Sequence, residues 1–93
     1  QQAMRRHADR RDGDAAAQAR AARAMRLATL SARERDVLDG IVRGSSNKEI
    51  ARDLGLSPRT VETYRANLFD KLRVASLVEL VRDYAALTGV STP

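Results

Sequence analysis

Four short runs punctuate the chain at near-regular intervals: "SARE" from Ser31, "SNKE" from Ser46, "SPRT" from Ser57 and "SLVE" from Ser76. Three of them fit S-x-x-E. In that arrangement the serine oxygen accepts from the backbone amide three residues on, while the glutamate reaches back to the serine's own amide. In the fourth, proline follows the serine at the first helical position, where its missing N–H costs nothing. Four starts predict four helices, at about 32–43, 47–54, 58–72 and 76–87. Gly44 stops the first, because glycine tolerates the left-handed conformation in which helices end. No strand-like alternation competes with this pattern, so the domain is expected to be all-α.

The apolar positions agree with that division. Val37, Leu38 and Ile41 fall on one face of the first helix, with Gly40 and Val42 beside them. Ile50, Ala51 and Leu54 form the face of the second, and Leu56 lies in the connection. Val61, Leu68 and Leu72, with Tyr64 or Arg65 between, give the i, i+3/4, i+7, i+11 stripe of the third. Phe69, Tyr64 and Tyr84 are the only aromatic residues, so the core must be built mainly from aliphatic side chains. Ninety-three residues suffice for one small domain of this kind.

Upstream, residues 1–12 are polar and Arg-rich without apolar periodicity, and read as a frayed tail. After Gly13, an Ala/Arg-rich run predicts a helix from about Ala15 to Ala28. Its face is nearly all alanine, with Met25 and Leu27 near the end, so alone it buries little. Residues 1–30 are thus read as a tail and linker or signalling helix, with a partly disordered tail as the alternative. Residues 31–93 form the folded domain.

The two central helices carry the functional signal. A helix over 47–54, a turn through Gly55-Leu56-Ser57 and a helix over 58–72 make a helix-turn-helix. In that geometry the second helix enters the major groove of duplex DNA. With Val61, Leu68 and Leu72 turned inward, Arg59, Thr60, Glu62, Thr63, Ala66, Asn67 and Asp70 face outward. Arginine and asparagine can read purine edges bidentately, glutamate can accept from cytosine, and a threonine methyl or alanine can meet a thymine methyl. Helix-turn-helix units also serve as packing modules, and an Arg/Glu/Asn face can be merely solvated, so spacing alone leaves both readings open.

Charge supports a polyanionic partner only mildly. The net +5 lies mostly in residues 1–30, with seven Arg against three Asp, although residues 43–73 carry seven basic and four acidic side chains. His7 is the single histidine and cysteine is absent, so neither a metal cluster nor a disulfide framework is expected. No G-x-S-x-G, P-loop or G-x-G-x-x-G pattern occurs. No enzymatic activity, cofactor or small-molecule ligand is expected. No apolar run reaches the roughly 18 residues of a membrane span. A cytoplasmic location without membrane contact is the corresponding expectation.

The stretch "LSARERDVLDGIVRGSSNKEIARDLGLSPRTVETYRANLFDKLRVASLVELV" closely resembles the effector domain of LuxR-type transcription regulators. Within them it looks most like response regulators of the FixJ/NarL class. The resemblance implies a four-helix LuxR-like helix-turn-helix domain that binds double-stranded DNA, here preceded by the linker helix. It places Asn47, Lys48, Thr60, Tyr64, Arg65 and Lys71 at positions that grip phosphates, and we group Arg59 with them. The amide-rich start of helix 47–54 suits that role independently. Glu62, Thr63, Ala66 and Asn67 fall at positions that face base edges. Many members carry histidine where this chain has Tyr64, and some carry lysine or valine at 62, 63 and 66, so the operator is expected to differ from theirs. Glu34 is read as the capping partner of Ser31 rather than as a catalytic acid.

The last helix has two apolar stripes, Leu77, Leu80, Tyr84 and Leu87 in one and Val78, Val81 and Ala85 in the other. A four-helix core needs one. In the resembling family this helix often forms the dimer interface, which points to Val78, Val81, Arg82 and Ala85 and to paired half-sites on DNA; burial of both stripes within one chain is the alternative. A receiver domain would need a further stretch of chain with several strands, so residues 1–30 are read as the linker leaving it. RNA polymerase contact is left open as a further partnership. Two other classes stay in view: a promoter-binding module like region 4 of a sigma factor, and a helical protein-interaction module without nucleic acid.

Overall fold

The computed structural model describes the backbone of residues 2–89 and the side chains of residues 13–89. Five helices follow one another: α1 Gln2–Ala28, α2 Ala32–Arg43, α3 Asn47–Leu54, α4 Pro58–Leu72 and α5 Leu77–Thr88. No strand occurs among the described residues. Both capping boxes of the first two S-x-x-E runs are formed, with each serine oxygen 3.1 Å from its N3 amide. The third is altered. Ser76 caps Glu79 as expected, but the glutamate reaches past it to the amide of Ala75 at 3.1 Å, and α5 begins at Leu77.

α1 departs from the sequence expectation. The stretch 2–12, expected to be a frayed tail, continues the helix through Gly13 without a break. Alanine, arginine and glutamine are strong helix formers, and one interior glycine costs only about 1 kcal/mol. The side chains of that stretch, His7 included, lie outside the described residues, as do residues 90–93.

The core collects Val37, Leu38, Ile41 and Val42 of α2, Ile50 and Ala51 of α3, Val61, Leu68 and Leu72 of α4, and Leu80 and Tyr84 of α5. Leu27 of α1 and Val74 join them. α4 is the central rod, packed by α2, α3 and α1. Gly40 makes the α2–α3 approach possible, since a Cβ there would lie 2.7 Å from Ile50 Cγ1.

Three helices end in the same way. After α2, Gly44 and Ser45 donate to the carbonyls of Ile41 and Gly40; after α3, Gly55 and Leu56 donate to Arg52 and Ala51; after α4, Arg73 and Val74 donate to Asp70 and Phe69. Each is the paired bonding of a Schellman cap, with the turning residue left-handed. At the third the turning residue is Arg73, at φ 58°, with no glycine to relieve it.

In α5 the expected first stripe is broken. Leu80 and Tyr84 are buried, but Leu77 is 46% exposed because it sits on the first turn, beyond the packed part of the helix. In the second stripe Val78 is 74% and Val81 37% exposed, while Ala85 packs partly against the core.

Candidate nucleic-acid interface

The reversal between α3 and α4 is set by Gly55, left-handed at φ 69°, and by Ser57, whose oxygen accepts from the Thr60 amide at 3.1 Å. Leu56 tucks against the core between them. This fixes α4 across α3 with its outer side open to solvent. Glu62, Thr63, Ala66 and Asn67 are all exposed on that side. Thr63 donates back to the Arg59 carbonyl at 3.2 Å, an interaction that leaves its hydroxyl oxygen able to accept. Arg59 and Asp70 are exposed beside them.

The expected phosphate-gripping residues divide into groups. Lys48 and Arg59 are exposed. The Thr60 hydroxyl lies 2.9 Å from that of Ser57. Tyr64 is half-buried against the core, and its hydroxyl makes no hydrogen bond within the described residues. Arg65 and Asn47 meet: Arg65 Nη1 donates to Asn47 Oδ1 at 3.2 Å, and the guanidinium lies 5.3 Å from the centroid of the Phe69 ring.

Lys71 is engaged within the chain and 40% exposed. Its Nζ donates at 2.7 Å to Glu34 Oε1, which also accepts from the Ser31 amide at 2.8 Å. Glu34 is buried at 4% exposure. Its carboxyl is held below the ordinary value, first by the Lys71 hydrogen bond, then by the Ser31 amide, against the opposing effect of burial. So Glu34 is the cap it was read as, and also the anchor of an ion pair that sequence reading missed.

Of the residues assigned to pairing between copies, Val78 and Val81 are exposed, and Arg82 pairs with Asp83 of its own helix at 2.9 Å. The buried Tyr84 hydroxyl was also missed. It donates to the Leu72 carbonyl at 2.8 Å and lies 3.4 Å from Arg26 Nη1, so it joins α1, α4 and α5. Among the described residues no group of His, Asp and Glu could hold a metal ion, and no helix is long and apolar enough to cross a membrane.

A short helix, a tight turn and a second helix with an open polar face, locked onto a third, define a helix-turn-helix DNA-binding domain. Residues 28–83 match the family model of "Bacterial regulatory proteins, luxR family", and the chain belongs to that family. It is similar to the transcriptional regulatory protein FixJ of Azorhizobium caulinodans, at 61% identity over 66 residues, 71% of this chain and 31% of that protein. UhpA of Escherichia coli is 53% identical over 53 residues, 57% of this chain and 27% of that protein. Full-length FixJ from B. japonicum superposes with a TM-score of 0.68 at 48% identity, over 85% of this chain and 40% of that one. The chain thus spans under a third of the length of these two curated relatives.

Proposed function

We propose that this domain reads operator DNA as the output unit of a two-component response regulator, in the cytoplasm, under control of a receiver joined through α1. The observation that carries the reading is the open outer side of α4, where Glu62, Thr63, Ala66 and Asn67 are exposed together above a rigid core. Those four present donors, acceptors and small groups suited to base edges. Lys48, Arg59, Asn47, Arg65, Thr60 and Tyr64 flank them and would fix the register on the phosphates. Family membership and the likeness to FixJ and UhpA support the same reading.

Two copies would pair through α5. Leu77, Val78 and Val81 leave an apolar strip open to solvent there, and Arg82 and Ala85 border it. Such a pair sets its two α4 helices into major grooves about one helical turn, roughly 34 Å, apart. Contact with RNA polymerase would follow from the bound position.

A mobility-shift titration against random duplex over a salt series tests the reading. Affinity that falls steeply with salt is expected from released counterions. Absence of binding at low salt would assign the domain to protein interaction instead. Binding seen only in the presence of RNA polymerase would assign it to the sigma-like class.

A further inference from the structure

We infer that Phe69 and Asn47 are positioning residues that hold the Arg65 guanidinium ready for a DNA phosphate; the inference rests on the DNA-reading function proposed above. Arg65 and Phe69 are four residues apart on α4, and therefore share a face. The guanidinium carbon lies 5.3 Å from the ring centroid, within the range of a cation–π contact. Nη1 also donates to Oδ1 of Asn47, the first residue of α3, at 3.2 Å. The arginine is thus held on one face by a ring and at one nitrogen by an amide carbonyl.

The chemistry of the pair fixes what each group has left to offer. A guanidinium only donates, so the Asn47 atom facing it must be the carbonyl oxygen, and the asparagine NH2 is turned away from Arg65. Asn47 is the first residue of α3, where backbone amides lack helical partners. The Ser46–Glu49 capping box takes the Glu49 amide and sets the Glu49 carboxylate on the Ser46 amide, so the donors left beside the Arg65–Asn47 contact are the remaining Arg65 N–H groups, the Asn47 NH2 and the first amides of α3. An anion is their common acceptor. A free arginine loses much of its rotamer freedom on gripping a phosphate. Here Phe69 and Asn47 have removed part of that freedom before DNA arrives.

Phe69 also packs partly against the core, so a structural role must be separated from a positioning one. The discriminating quantity is the coupling between positions 69 and 65. The 93-residue chain and its Phe69→Leu, Phe69→Tyr, Arg65→Ala and Phe69→Leu/Arg65→Ala variants are titrated with a random-sequence duplex pool, with melting temperatures in parallel. Random duplex suffices, because phosphate contacts carry no sequence information. Phe69→Leu is expected to weaken binding roughly two- to fivefold, as loss of an exposed cation–π contact implies. Phe69→Tyr should bind like the parent, and Phe69→Leu should add nothing once Arg65 is alanine. Arg65→Ala should also flatten the dependence of log affinity on log salt by about one unit.

Equal weakening by Phe69→Leu with and without Arg65 would overturn the inference, as would an unweakened Phe69→Leu. An Arg65→Ala variant with parental affinity and salt dependence would overturn it too, while leaving DNA binding intact. Failure of the parent chain to bind any duplex would instead sink the function itself.

Discussion

Lys71 Nζ at the last turn of α4 lies 2.7 Å from Glu34 Oε1 at the first turn of α2, and the carboxylate is buried while the lysine is 40% exposed. The contact ties the C-terminal end of α4 to the capping box at the start of α2. Removing the lysine leaves a buried carboxylate with Ser31 as its remaining partner among the described residues. Lys71→Met is therefore expected to destabilise the domain by about 1–3 kcal/mol, below the fully buried range because the lysine is partly solvated. Denaturant unfolding at neutral pH measures it.

The same pair makes stability depend on acid. Glu34 has its carboxyl lowered from 4.5, chiefly by Lys71. A lowered carboxylate contributes stability that is fully present above its ordinary value and is lost as pH falls through the folded-state value. Glu49 and Asp83 are lowered as well, by Ser46 and Arg82 respectively, so the parent's acid loss is shared. Glu34→Gln isolates one part of it. The gap in melting temperature between parent and variant is expected to be widest near pH 7 and to shrink below about 4.5.

Tyr84 donates its buried hydroxyl to the Leu72 carbonyl at 2.8 Å. That carbonyl belongs to the end of α4, where helical partners run out. Tyr84→Phe keeps the ring and strands the acceptor, for an expected loss of about 1–3 kcal/mol. Differential scanning calorimetry checks it.

Gly40→Ala tests the approach of α2 to α3. The alanine gains up to about 1 kcal/mol of helix propensity. Its Cβ meets Ile50 Cγ1 at 2.7 Å, and overpacking of that kind costs about 1–3 kcal/mol. Net destabilisation is expected in thermal melts. The double variant with Ile50→Ala should lose less than the two single changes added together.

Helix boundaries were legible because their signals are local. Ser31, Ser46 and Ser57 fix α2, α3 and α4 within a few residues of themselves, and Gly44 and Gly55 stop the first two. The outer face of α4 was legible for the same reason: once Val61, Leu68 and Leu72 point inward, positions 62, 63, 66 and 67 have nowhere else to go. The Glu34–Lys71 pair was not, because its partners are 37 residues apart and neither position has an unusual local pattern. Tyr84 was seen as part of an apolar stripe, but the Leu72 carbonyl it serves exists only after α4 and α5 pack. α4 ends at Leu72 as expected, but its left-handed cap at Arg73 was not legible, since arginine is not the residue expected there. Phe69, four residues after Arg65, was within reach of helical spacing.

The most direct test is selection of bound duplexes from a random library by the parent, Asn67→Ala and Lys48→Ala. Lys48 serves as the phosphate control because its side chain is exposed, whereas Lys71 is engaged with Glu34. The parent should enrich one sequence, Asn67→Ala should change the base preferred at one position of each half-site, and Lys48→Ala should keep the sequence and bind it more weakly with a shallower salt slope. Enrichment of the same sequence by all three with equal losses of affinity, or no enrichment by the parent, would contradict base reading by the outer face of α4.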